Sequence, residues 1–229
     1  MFLPQPVRGA KGADARFRRD SRARQNNDFA HFLFPARLFF SMIAAMTQEK
    51  KEQKQPETVA AHCSGAVMDS AVAIYRKCFN APDKGENWTE DSAAAYFREL
   101  MQRDGALFWT LRLDGDIIGI SGGCDLAASI VWPDMPPDIS QAFDPQNVFY
   151  FAVTAIDPRC QGAGYGRDFS AAWMRDVKAK NYRGIVGRCR ADNLPMRRIF
   201  EKSGFQIIRE YQSEMGGVTC DRILLYKEL

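Results

Sequence analysis

Between residues 64 and 105 the apolar positions recur at helical spacing. Val67, Ala71, Ile74, Tyr75 and Cys78 share one face and predict a first helix from about Ser64 that stops before Pro82. Thr89 suits the N-cap of a second helix, in which Ala93, Tyr96, Phe97, Leu100 and Met101 fall together before Gly105 ends the run. The period then changes. Two short apolar runs, residues 107–113 and 117–123, flank Asp-Gly-Asp at 114–116 and predict a β-hairpin. Residues 127–147 hold four prolines and read as a long loop or partly helical insertion. Its Ile130, Val131, Trp132, Met135 and Phe143 would let it pack as a lid. Beyond it the pattern predicts a strand at 149–156, a glycine-rich turn, a helix at about 165–180 and a strand at 184–190. A helix at 194–203, a strand at 205–212, a Gly-Gly turn at 216–217 and a strand at 221–229 complete the chain. Helices separated by strands, with hairpins at both ends and no internal repeat, point to a single mixed α/β domain.

Length and composition narrow this picture. The 229 residues suffice for one well-cored domain or two small ones, and 46% apolar with 26% charged residues is ordinary for a globular chain. The net charge of +3 hides an asymmetry: residues 1–46 carry eight Lys/Arg against three Asp, and the remainder 23 basic against 25 acidic residues. The near-neutral remainder does not support a nucleic-acid footprint. Residues 1–46 read as a disordered or mis-assigned basic extension, with Met42 or Met46 as the natural initiator; a targeting segment and a basic nucleic-acid-binding arm are the other readings. Residues 47–62 read as a solvated lead-in, and the folded domain as 63–229. No run of about 18 uninterrupted apolar residues exists, so a membrane span is not expected. The six cysteines are never closer than 15 residues, which argues against a zinc site and fits free thiols in a reducing cytoplasm. Both histidines, His31 and His62, lie in the first third, which disfavours a Ser-His or Cys-His nucleophile. No metal is expected.

The chemistry concentrates at "DPRCQGAGYGRD", residues 157–168, where Gly162, Gly164 and Gly166 alternate between a strand and a helix. A dinucleotide fingerprint fails because Arg167 takes the third glycine's place, and a Walker A loop fails for want of Gly-Lys-Ser/Thr. What remains is a turn whose missing Cβ atoms either relieve backbone sterics or let a ligand approach closely. The free amides of a first helical turn, with the helix dipole, suit an anion such as a diphosphate. Arg159 and Arg167 flank that site, and Phe169, Ala172, Trp173 and Val177 give the helix behind it a face to bury.

Gln161-x-x-Gly164-x-Gly166, preceded by Ile156-Asp157-Pro158, resembles the Q/R-x-x-G-x-G/A motif of the GNAT superfamily of acyl-CoA-dependent N-acyltransferases. The segment 191–205, "ADNLPMRRIFEKSGF", is similar to the family's second signature, with Asn193, Met196, Glu201, Lys202, Gly204 and Phe205 in register. The resemblance implies a single GNAT-like α/β domain with a mixed central sheet, a splayed strand pair and flanking helices. It implies acetyl-CoA, or another acyl-CoA, as co-substrate and transfer of acetyl to a primary amine of a small molecule or peptide. A non-catalytic acyl-CoA-binding sensor of the same fold is the alternative. Neither nucleic acid nor membrane is expected as a partner, and homodimer formation is left open.

Three demands follow from that chemistry. An alkylammonium with a pKa of about 10.4 must lose a proton before attack. The thioester oxygen needs placed donors as it becomes negative. The thiolate must depart. By resemblance, amides near Ala155 and Ile156 meet the second demand, and Arg159, Gln161, Gly162, Ala163, Gly164, Tyr165, Gly166 and Arg167 surround the diphosphate. Asn193 would fix the cofactor's amide region besides capping its helix. The family's usual tyrosine acid falls at Phe200, which cannot donate a proton, so the thiolate leaves unaided, through water, or by another group such as Ser203 or Tyr211. Residues 145–160 contain no glutamate. Asp125, at the end of a core strand, is the candidate base, Asp157 reads as a turn residue, and water-mediated deprotonation with positioning is the preferred route.

Overall fold

The computed structural model describes residues 55–130, 135–136 and 138–229. The extension 1–46, the first half of the lead-in and Val131, Trp132 and Asp134 of the insertion lie outside the described residues. Seven strands form one sheet: β1 (Glu57–Ala60), β2 (Leu107–Leu113), β3 (Asp116–Asp125), β4 (Val148–Ile156), β5 (Gly184–Arg190), β6 (Gln206–Met215) and β7 (Val218–Glu228). Their order is β1-β2-β3-β4-β5-β7-β6. Only β4 and β5 pair in parallel; every other neighbour is antiparallel. The four principal helices are α1 (Gly65–Phe79), α2 (Glu90–Met101), α3 (Tyr165–Ala179) and α4 (Leu194–Lys202).

The two faces of the sheet carry separate cores. Ala71, Ile74 and Tyr75 of α1 and Phe97 and Leu100 of α2 close over Phe108, Ile120, Tyr150 and Leu224. Phe169, Trp173 and Val177 of α3 and Phe200 of α4 close over Trp109, Leu111, Phe151 and Ile223. Alternation within each strand sends neighbouring side chains to opposite cores, as Phe108 and Trp109 show. Thr89 caps α2 in a reciprocal capping box with Ser92, as its position ahead of the apolar face predicted.

Two elements differ from the sequence expectation. The lead-in contributes β1, antiparallel to β2 through Glu57↔Arg112 to Ala60↔Trp109. Four residues with two of them exposed leave no usable period-2 signature. The insertion forms two short helical turns and a 3-10 turn, with Met135 and Ile139 buried in the first core. Phe143 stacks on Tyr226 at 4.5 Å, and Asp138 pairs with Arg209 on the outer strand β6.

Candidate active site

Strand β4 changes parity at one residue. Opposite β3, Gly123 pairs with Phe151 and Gly122 with Val153, so Ala152 is an extra residue, a β-bulge. Side chains at Tyr150 and Val153, an odd spacing, therefore face the same core. The parallel ladder to β5 runs from Val148↔Gly184 to Phe151↔Gly187 and stops where the bulge begins. Beyond it β4 has a free edge. The amide of Asp157 donates to the Ile118 carbonyl at 2.8 Å, toward β3. Counting back by two, Ala155 and Val153 also turn their amides to β3, whereas Ile156 and Thr154 direct theirs to the open edge. The expectation at Ala155 is corrected accordingly: its side chain is buried and its amide faces β3, so the amides on the open edge are those of Thr154 and Ile156.

The strand ends on a tightly tied turn. The Ile156 carbonyl accepts from Gln161 Nε2 at 2.8 Å and from Cys78 Sγ at 3.3 Å. Burial pushes the Cys78 thiol up to about 11, so it stays protonated and is not a nucleophile at neutral pH. The Asp157 carboxylate accepts from both ends of the Arg159 guanidinium and from Lys77 Nζ, each near 3 Å, and these bonds hold it well below the usual carboxylate range. Asp157 is thus a turn anchor, as expected. Gly162 and Gly164 both take φ of +85°, a left-handed conformation that glycine adopts freely, and Gly164 is the N-cap of α3. Ala163 is exposed, while Tyr165 and Gly166 are half-buried in the first turn. A Cβ placed on Gly162 or Gly164 would meet open space, so at these exposed positions nothing bars a ligand from approaching the backbone. The flanking arginines are committed to neighbours: Arg159 to Asp157, and Arg167 to Asp168 at 2.9 Å.

Next to the open edge lies a cavity of about 590 Å³. Phe151 to Thr154 of β4 and Arg188 to Arg190 of β5 form one wall, Asn193 and Met196 of α4 another, and Tyr75, Cys78, Tyr96 and Trp88 the α1–α2 side. Asn193 caps α4 through the Met196 amide at 3.2 Å and lines the cavity at once. Beside the cavity the loop after α1 touches the β6–β7 turn. Gly85, at φ +74°, sits so close to the Met215 carbonyl that any Cβ would collide with it, and Gly216 presses on the Gly85 backbone from the other side.

Two expected site residues are placed elsewhere. Asp125 pairs across β3–β4 with Phe149, before the bulge, where it accepts from the Tyr182 hydroxyl and does not line the cavity. Its position at a strand end was legible, but not which end of the sheet opens. Phe200 is buried at 1% exposure, edge-on to Phe151 and Phe205, so it supports the cavity floor from behind without lining it. The insertion's described residues contribute nothing to the cavity lining. Conversely, Glu86 was missed as a base. It lines the cavity, and burial raises its carboxyl above the ordinary value of 4.5 despite the opposing pull of Arg222, Arg190 and Lys84. Its place between two helices, outside both motifs, marks it in sequence only as one of several loop acids near the acceptor region, with Asp83, Glu90, Asp134 and Asp138.

Residues 56–206 match the family model of the acetyltransferase (GNAT) domain. The chain belongs to the GNAT acetyltransferase family. Among curated proteins it is similar to mycothiol acetyltransferase of Amycolatopsis mediterranei (strain U-32), 25% identical over 142 residues, which is 62% of this chain and 43% of that protein. The chain thus spans less than half the length of that relative. In fold it is similar to an N-acetyltransferase from Staphylococcus aureus Mu50 (TM-score 0.59, 17% identity, 76% of this chain and 98% of that one). A ribosomal-protein-alanine N-acetyltransferase from Brucella melitensis is similar to the same degree (TM-score 0.57, 14% identity, 75% and 99%). GNAT enzymes generally draw their acyl group from acetyl-CoA. The residues present fit that molecule: a side-chain-free, open turn at a helix N-terminus for a diphosphate, and an unpaired strand edge before it for an extended amide chain. No group of side chains suited to a metal ion occurs among the described residues.

Proposed function

We propose that this protein transfers acetyl from acetyl-CoA to a primary amine of a small molecule or peptide. The observation that carries the reading is the opened β4 edge, created by the Ala152 bulge, adjoining the side-chain-free turn at the start of α3. Bound acetyl-CoA supplies the acyl group already activated as a thioester. The amides of residues 162–166 hold its diphosphate, helped by the positive end of the α3 dipole. Arg159 and Arg167, each tied to a carboxylate, shape the rim rather than neutralise the anion. The Thr154 and Ile156 amides pair with the amide chain and donate to the oxygen that becomes negative, and Asn193 orients the amide chain from the cavity side. Met196 and Pro195 pack beside it.

Glu86 accepts the ammonium proton. A half-buried carboxyl with a raised pKa is a stronger base than an ordinary glutamate, and the cavity brings it to the acceptor. Phe200 offers no proton, so the thiolate leaves with water as its acid. The sign of the pH dependence follows: as pH falls through the Glu86 pKa the base is lost, so kcat/KM should decline along an acid limb lying above 4.5. Glu86→Gln should lower kcat/KM by about 100-fold and abolish that limb in a pH–rate profile.

The buried, hydroxyl-free Phe200 favours one second reading, an acyl-CoA sensor without turnover. Thiol release from acetyl-CoA, measured with a panel of amines, separates the two. Amine-dependent release supports the enzyme; binding by calorimetry without release supports the sensor.

A further inference from the structure

One exposed side chain bridges the two halves of the acyl-CoA site. The open edge of β4 ends at Ile156, the side-chain-free turn begins at Gly162, and residues 157–161 join them. In a strand the N–H and C=O of one residue point the same way. The Val153 carbonyl accepts from Ser121 Oγ of β3 at 3.2 Å, and the Asp157 amide reaches Ile118, so both residues face β3. The Ile156 carbonyl, of opposite parity, therefore lies on the open edge beside its own amide. There it accepts from Gln161 Nε2 at 2.8 Å.

The connector holds its own shape without that bond. The Arg159 amide donates to Asp157 Oδ1 at 3.0 Å, and Lys77 of α1 grips the same carboxylate. The Cys160 and Gln161 amides close the turn on the Asp157 and Pro158 carbonyls at 2.8 and 3.4 Å. The segment that follows has no such support. Gly162, Ala163 and Gly164 are exposed, and a Cβ on either glycine would meet nothing within 4 Å, so packing does not hold these amides. Glycine's backbone freedom makes an anchor on each side the condition for a fixed array. The helix side has one, since a Cβ on Gly166 would stand 3.1 Å from Ile199 Cδ1 of α4. On the strand side Gln161 ties the turn back to Ile156. Water competes for that exposed bond, and holding it costs side-chain freedom, so it adds little to stability.

We propose that Gln161 is a positioning residue that fixes the distance from the open β4 edge to the diphosphate-binding amides. The proposal deepens the acyltransferase reading and rests on it. The motif resemblance groups Gln161 with the diphosphate contacts, but its side-chain amide is turned back to the strand. A ligand that spans both halves gains from a preset spacing, because its second contact then forms at high effective concentration. A ligand that fills one half gains nothing from it.

The test measures binding to the intact protein by calorimetry, with acetyl-CoA titrated directly and each half by displacement. S-acetylpantetheine lacks the diphosphate, and 3′-phosphoadenosine 5′-diphosphate lacks the thioester arm. Gln161→Met keeps the side-chain length and removes the donor. It should raise Kd for acetyl-CoA about tenfold and change either half by less than about threefold. Gln161→Arg, which restores an N–H donor, should recover most of the acetyl-CoA affinity. A side chain that touched the diphosphate would instead weaken the nucleotide alone as much as acetyl-CoA. Equal losses for those two ligands, or unchanged acetyl-CoA affinity in Gln161→Met, would overturn the positioning role and leave the acyltransferase intact. No acetyl-CoA binding to the unsubstituted protein would overturn both.

Discussion

Replacing Gly164 by glutamate is expected to raise the dissociation constant for acetyl-CoA at least about a thousandfold while the domain remains folded. Two effects combine. A residue with a Cβ at φ +85° carries strain of roughly 1–2 kcal/mol. The larger effect is occupation: nothing lies within 4 Å of the position its Cβ would take, so the side chain has room to extend over the amides proposed to hold the diphosphate. A carboxylate there competes for the same amides and repels the anion. Losing two charge-assisted hydrogen bonds, each worth about 1.5–3 kcal/mol, removes about 3–6 kcal/mol, which with the added strain and repulsion reaches the roughly 4 kcal/mol that corresponds to three decades in affinity. Gly164→Ala isolates the strain and should cost no more than about tenfold. Calorimetry with acetyl-CoA measures the affinity, and an unchanged circular dichroism spectrum reports the fold. Unaltered affinity in Gly164→Glu would place the diphosphate elsewhere.

The largest stability effect is expected at Trp173. It is almost fully buried on α3, stacked at 4.4 Å and nearly parallel to Phe151, the last β4 residue still paired to β5. It also lies 6.0 Å from Trp109 on β2. Trp173→Ala removes the ring on which both strands rest, at a cost of about 3–5 kcal/mol. For a domain of this size each kcal/mol lowers the melting temperature by roughly 2–4 °C, so a fall of about 6–20 °C is expected. Differential scanning calorimetry checks it. A drop of only a degree or two would mean that the core beneath the splay closes over the gap.

Most of the architecture was legible because it is local. The helical face of α1, the Thr89 cap, the Asp-Gly hairpin and the glycine turn each depend on residues within a few positions of one another. What the sequence concealed is non-local. The Ala152 bulge exists only as a mismatch with Gly122 and Gly123 on another strand, so the amide-bearing positions shifted from Ala155 to Thr154 and Ile156. Asp125 was taken for a base because it ends a core strand, yet antiparallel pairing carries it before the bulge. Glu86 is an unremarkable loop acid until burial and three nearby cations give it a role.

The contact between Gly85 and the Met215–Gly216 backbone has a consequence for how acceptor choice can evolve. The two turns meet there through main chain, Gly85 against Met215 and Gly216, beside the cavity-lining Lys84, Glu86 and Met215. A Cβ at Gly85 or Gly216 would collide with the facing backbone, so the spacing of the turns changes more readily through insertions or deletions in one of them than through substitution at these glycines. Related enzymes that accept bulkier amines should differ in turn length at these positions more than in residue type.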